Sequence, residues 1–288
     1  MKKTLFLILL VIIFFSGCVE NFNVFESKIS ENAIITKSDD VKLEVQITPR
    51  NILSQRTATL EYTIQNLRDD INLTDIKINF YDLCGLSIKE GSAVTNIDSL
   101  KPNQTKYYKI KLEAPKIDFN TQCEIKYRLT YNSSTYLTQD IVVLSDSEYA
   151  ARETAGTLND IPISSKSPKS PILINFKISE AQPLRETKEG ENVYIYFSFS
   201  NIGNGYIDKI DVGSVTISIP DNLKGYCRNF DNNKNNINLN FYNKETRQIT
   251  CSFSTKSTQP IDIKQFKISV DNFKYTLDNT ININLIKR

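Results

Sequence analysis

The chain has 288 residues, with 35 Lys and Arg against 33 Asp and Glu, five Cys, and neither His nor Trp. So even a balance makes no electrostatic case for nucleic acid, which calls for a clustered basic face. The lack of His excludes the triads and zinc sites that depend on imidazole.

Lys2 and Lys3 form a basic start, and Thr4 to Phe15 form an apolar run that ends in Phe15-Ser16-Gly17-Cys18. A bilayer-spanning helix needs ~20 apolar residues, so this run reads as a secretory signal and not as a permanent span. Small residues directly before Cys18 resemble the lipobox of prokaryotic lipoproteins. That resemblance implies cleavage before Cys18 and a lipid on it, with the rest of the chain on the extracytoplasmic face of the membrane. The alternative is an uncleaved, single-pass signal anchor. Without residues 1–17, whose only charges are the two lysines, 33 basic side chains face 33 acidic ones. About 270 residues remain, enough for two domains of ordinary size.

Setting Cys18 aside leaves Cys84, Cys123, Cys227 and Cys251, two in each half. Four thiols allow three connectivities. Cys84 with Cys123 and Cys227 with Cys251 is the pairing that keeps each bridge inside one half. Loops of these lengths give roughly 3 to 4 kcal/mol each in the chain-entropy picture. No CxxC spacing supports the rival reading as thiolate metal ligands.

A tether, residues 18–38, follows the signal. From Val41 apolar residues recur with period two, the mark of strands with one buried face. Thr57 to Asn66 buries Ala58, Leu60, Tyr62 and Ile64. Ile76, Ile78 and Phe80 alternate with polar residues, as do Tyr108, Ile110 and Leu112. Cys123 to Tyr131 makes a further strand, and after Asn132-Ser133-Ser134 a last run covers Tyr136 to Leu144. Short strands without a long amphipathic helix predict an antiparallel sandwich over residues 39–145.

Alternation stops over residues 146–171. Ser147 to Ala155 forms one or two helical turns, and the Ser- and Pro-rich stretch to Pro171 reads as a semi-extended linker. A second sandwich is expected over 172–288. Its strand Asn192 to Asn201 puts Val193, Ile195, Phe197 and Phe199 on one face, with Tyr194 and Tyr196 on the other. Tyr62 to Leu67 matches Phe197 to Ile202 class for class, Tyr127 to Thr130 matches Phe266 to Ser269, and Tyr136 falls opposite Tyr275. The second half therefore reads as a divergent repeat of the first.

A strand ending in Asn66-Leu67, then Leu100-Lys101-Pro102-Asn103-Gln104-Thr105, then Leu112-Glu113-Ala114-Pro115, resembles the CARDB-like immunoglobulin-like modules found in tandem on archaeal and bacterial surface proteins. Asn201-Ile202-Gly203-Asn204-Gly205 is similar in the second half. The resemblance implies an all-β fold of two tandem antiparallel immunoglobulin-like β-sandwiches behind a lipoprotein peptide. Such modules serve adhesion, scaffolding and enzyme attachment alike, so the fold names no function.

Three sequons, at Asn72, Asn103 and Asn132, are candidate glycosylation sites at expected turns. Asp231 to Asn236 alternates like the start of a calcium loop, but Asn236 replaces the Gly and Tyr242 the bidentate Glu; an Asn-rich hairpin tip is the better reading. Tyr194 and Tyr196 form a candidate stacking face for a sugar or protein. No phosphate loop, nucleophile elbow or paired carboxylates occur, so no catalytic residue, metal or cofactor is assigned. The expected protein is a non-catalytic, membrane-anchored envelope protein that binds or scaffolds. Its partner would be another surface protein or a polysaccharide. The alternatives are a substrate-binding subunit of a surface transport or secretion complex, and a surface hydrolase.

Overall fold

A computed structural model describes residues 34–288. The signal segment, Cys18 and most of the tether lie outside the described residues.

In the first half, β1 (Ile34–Lys37) and β2 (Val41–Thr48) form a hairpin, and β3 (Asn51–Leu53) follows Pro49. Next come β4 (Thr57–Asn66), β5 (Leu73–Asp82), β6 (Ser87–Glu90), β7 (Val94–Leu100) and β8 (Thr105–Glu113), then the 24-residue β9 (Thr121–Leu144). The last residues of the expected tether are thus strand β1, with Thr36 buried. The second half contributes β10 (Ser165–Lys166), β11 (Ile172–Ile178), β12 (Leu184–Arg185) and β13 (Val193–Asn201). Short strands follow as β14 (Lys209–Ile210), β15 (Val215–Ser218), β16 (Leu223–Cys227), β17 (Phe230–Asp231), β18 (Lys234–Asn235), β19 (Leu239–Tyr242) and β20 (Glu245–Thr246). The chain closes with β21 (Ile249–Thr255) and the 26-residue β22 (Ile261–Ile286). The fold is all-β and overwhelmingly antiparallel, as the period-two pattern predicts.

Two smaller sheets cover one large one. The first, β1-β2-β4-β8-β6, and the second, β14-β19-β20-β13-β21-β16 with β11 on β13, each face part of a ten-stranded sheet whose central pair is β22 and β9. Tyr62 of the first small sheet meets Phe80 of the large one at 5.2 Å between ring centroids. Phe253 of the second small sheet meets Phe266 of the large one at 6.0 Å. Odd-numbered residues of β9 from Ile125 to Leu137, and then Ile141 and Val143, are buried on the covered face. In β22 the buried set runs Phe266, Ile268, Val270 and then Phe273, Tyr275, Leu277, because a one-residue bulge between Val270 and Phe273 keeps the same face inward.

The halves repeat one another in bonding as well as in sequence class. Val41 of β2 pairs with Asn66 of β4, and Ile172 of β11 pairs with Asn201 of β13. Asn66 Oδ1 accepts from the Arg68 N–H and its Nδ2 donates to the Ile71 carbonyl. Asn201 does the same with the Gly203 N–H and the Gly205 carbonyl. Each buried amide thus closes a turn whose backbone groups lack sheet partners. After Pro49 and Pro183 the chain crosses in both halves to the opposite sheet, where β3 and β12 run parallel to a long strand.

Those two parallel contacts reveal an exchange of strands. β3, of the first half, lies beside Asn284–Ile286 at the end of β22. β12, of the second half, lies beside Val143–Leu144 at the end of β9. The early part of β9 pairs with β5 of the first half, and the early part of β22 pairs with β15 of the second. Each long strand therefore begins in its own sandwich and finishes as the last strand of the other. The two pair continuously from Ile261↔Leu144 to Leu285↔Thr121, a ribbon about 80 Å long at ~3.3 Å per residue.

Sequence reasoning places a turn at Asn132-Ser133-Ser134, but the structure continues straight through it. The flanking segments pair with β22, whose register partners lie far away in sequence, so no hairpin is needed to satisfy their backbones. The linker packs along β9. Its helix α1 (Asp146–Ala155) is capped by the Ser145 side chain, which accepts from the Glu148 N–H, and ends at left-handed Gly156. Leu158 and Ile161 then pack on Val142 and Leu144, and β10 pairs with β9.

Where the ribbon passes from one sandwich to the other, polar groups are buried. Arg68 donates to Asp40 at 3.0 Å, with 3% and 0% of their side chains exposed, and pairs with Asp70 at 2.7 Å. Burial pushes the Asp40 carboxyl above its ordinary range, against the opposing pull of Ser133 and Arg68. Gly205 allows its loop to lie on the ribbon, because a Cβ there would meet the Thr276 carbonyl and the Tyr275 ring.

Candidate binding face

Among the described residues the outer face of the second small sheet is open, and alternation in its strands decides what it shows. Phe197 and Phe199 of β13 point into the core, so Tyr194 and Tyr196 point out. Their rings are near-parallel, 19° apart with centroids separated by 6.4 Å, and Tyr194 is 41% exposed. On the neighbouring strands Cys251 and Cys227 are buried, which turns Thr250, Ser252 and Tyr226 outward.

Register arranges these residues in two rows. Tyr194 and Tyr226 both have Ser252 as partner, so Tyr194, Ser252 and Tyr226 cross three strands in line. Tyr226 is 71% exposed and, two strand spacings away, stands ~10 Å from Tyr194. In the next row Lys177 and Thr250 flank Tyr196, and the Arg228 N–H donates to the Thr250 carbonyl at 3.0 Å. Gly225 makes the tight β16–β21 approach possible, since a Cβ there would run into the Ser252 carbonyl and Phe253.

Three grooves follow this face. One of 350 Å³ holds Lys177, Tyr196, Ser198 and Glu245. It shares Gln248 with a groove of 510 Å³ beneath Tyr194 and Tyr226, and that groove shares Arg228, Asn229, Gln248 and Ile249 with one of 480 Å³ reaching Tyr242. At the first, the Ser198 hydroxyl donates to Glu245 at 2.6 Å and Asn175 bridges to the same carboxylate. Sequence reading finds Tyr194 and Tyr196 but misses Tyr226, Arg228 and Tyr242. Alternation around buried Cys227 signals that Tyr226 and Arg228 face out; that they line up with Tyr194 depends on a register no local pattern encodes.

The other expected sites are dispersed. Cys84 is paired with Cys123, Cα atoms 6.0 Å apart, joining the end of β5 to β9 in the large sheet. Cys227 is paired with Cys251, its direct cross-strand partner, in the second small sheet. The bridges therefore occupy different sheets, although both expected copies place the first Cys after an early strand and the second on a later one. Asn72 is exposed ahead of β5, and Asn103 is exposed at a turn with φ 57°. Asn132 is not at a turn: it sits within β9, and its Nδ2 donates to Asp75 at 2.8 Å. Asn232 and Asn233, with φ 48° and 63°, form the tip of the β17–β18 hairpin, where both residues of a tight loop need positive φ. Among the described residues no group of three or more His, Cys, Asp or Glu could hold a metal, and no helix is long and apolar enough to cross a membrane.

No family model matches the chain, and no curated protein matches it. Among solved structures it is similar to a "protein of unknown function from Porphyromonas gingivalis W83", with 11% identity over 85% of this chain and 99% of that one, at a TM-score of 0.20. A likeness that low carries no argument about fold or function.

Proposed function

We propose that this chain is a non-catalytic envelope protein, anchored to the extracytoplasmic face of the membrane through a lipid on Cys18, that binds or scaffolds through two immunoglobulin-like sandwiches. The observation that carries the binding role is the aligned, exposed Tyr194 and Tyr226 with Tyr196 beside them, on a sheet face that no other element among the described residues covers. Aromatic side chains with a polar tip are the type that interfaces favour.

The scaffold supports a division of labour between the sandwiches. The described chain starts in β1 and ends in β22, and both ends belong to the first sandwich, where Asn279 donates to Thr36 at 2.8 Å. The second sandwich is inserted between the two passes of the ribbon. An anchor ahead of β1 would hold the first sandwich near the membrane, and two paired strands, stiffer than a Ser/Pro linker, would present the tyrosine face.

The test is retention of the purified protein on washed envelope fragments. Tyr194→Ala with Tyr226→Ala should lower retention at least about tenfold, the effect of ~1.4 kcal/mol. Tyr81→Ala with Tyr107→Ala, exposed residues of the first half, should leave it unchanged. Equal retention of the first pair and wild type would contradict the assignment.

A further inference from the structure

We infer that the two adjoining grooves, one beneath Tyr226 and one reaching Tyr242, take an anionic glycan chain, one bearing carboxylate or sulfate groups. This inference rests on the binding face proposed above and names its ligand class. The grooves, of 510 and 480 Å³, run into one another through Arg228 and Gln248. Arg228 and Arg247 are their charged lining residues, and no Asp or Glu lines either one. In a chain with 33 acidic residues against 35 basic ones, such a stretch is a local excess of positive charge.

Four other arginines are paired. Arg68, Arg128, Arg152 and Arg185 each hold a carboxylate within 3.0 Å. Among the described residues Arg228 and Arg247 have no acidic partner. Arg247 lies instead over the Tyr242 ring, 5.8 Å from its centroid, a contact that fixes the guanidinium's direction while leaving its fork of donors unused. A planar fork of that kind matches the two oxygens of a carboxylate or sulfate.

The remaining lining suits a carbohydrate. Asn229, Asn238, Asn240 and Gln248 supply amide donors and acceptors, and Tyr194, Tyr226 and Tyr242 supply ring faces. β16 is the last strand of this sheet, so an acidic peptide adding to its edge is the competing ligand, which poly-L-glutamate tests. A carbohydrate polymer carries hydroxyls for the amides, C–H faces for the rings and, when acidic, an oxyanion at each repeat for the arginines.

The experiment passes the full-length protein in detergent over immobilised polygalacturonate, chondroitin sulfate, carboxyl-reduced polygalacturonate and poly-L-glutamate. Retention on at least one of the two acidic glycans is expected, about tenfold or more above both other polymers. It should fall as salt rises and be lost in Arg228→Gln with Arg247→Gln, exposed changes that keep the unfolding midpoint. Retention by neither acidic glycan, or equal retention by poly-L-glutamate, would overturn the inference. If the neutral polymer is held equally and only Tyr194→Ala with Tyr226→Ala releases it, the anionic class is wrong and the binding face stands. If neither pair of substitutions changes retention, the binding face falls with it.

Discussion

Tyr131 and Tyr275 are direct partners across the ribbon, their ring centroids 5.8 Å apart at the place where β9 and β22 pass between sandwiches. The Tyr131 hydroxyl bonds Ser38 of the first half, and the Tyr275 hydroxyl donates to Asn201 of the second while accepting from the Gly205 N–H. Each ring therefore ties an exchanged strand to one sandwich. Tyr275→Phe leaves the buried Asn201 side chain and the half-buried Gly205 N–H each short of a partner and should cost about 1 to 3 kcal/mol. Chemical denaturation of the variant beside wild type measures this.

The same burial makes the fold sensitive to alkali. Burial pushes the Tyr127 phenol up to about 12, with its bond to Thr36 pulling the other way, and raises Tyr62, Tyr131 and Tyr275 also. A phenol whose folded pKa exceeds its unfolded value of about 10 stabilises the fold below that pH and loses the contribution as pH rises through the folded value. Stability should decline steeply from about pH 10 towards 12. Ultraviolet titration should show the buried set ionising only with unfolding.

Arg68→Ala would strand the Asp40 carboxylate in the interior, a loss of roughly 3 to 5 kcal/mol at neutral pH. Because burial raises the folded pKa of Asp40, protonation relieves that penalty as pH falls, so the deficit against wild type should shrink between about pH 7 and pH 4. Asp70 adds in the same direction: the bond to Arg68 lowers its pKa, a contribution wild type holds above about pH 4 and loses in acid. Denaturation midpoints of both proteins across this range provide the check.

Gly205→Ala should destabilise by about 1 to 3 kcal/mol, since the added methyl meets the Thr276 carbonyl and the Tyr275 ring. Gly190→Ala is a useful contrast: no atom lies within 4 Å of a Cβ there, and only its φ of +87° opposes the change. Thermal unfolding of the two variants separates a steric clash from backbone strain.

Much of the fold was legible because alternation is local. Thr57 to Asn66 is a strand over those same residues, Val41 begins one, and the helical turns expected from Ser147 to Ala155 are α1. The Asn66 and Asn201 match, read from residue class, reappears as matching side-chain bonds. The exchange was not legible: an alternating segment states which face is buried and is silent about which strand lies beside it. Asn132-Ser133-Ser134 carries turn chemistry, yet its neighbours pair with residues near 272, a choice set by the whole core. For the binding face the same limit applied to Tyr226, which only the β16–β21–β13 register brings into line with Tyr194.

Cutting the linker tests the exchange most directly. A protease site introduced at Lys169 breaks the covalent connection between halves while leaving β9 in one fragment and β22 in the other. The exchanged strands predict that the cut fragments co-elute in native buffer and unfold in one transition, and that neither fragment folds by itself, since each lacks the last strand of its sandwich. Two fragments that separate on the column as independently folded sandwiches would contradict it.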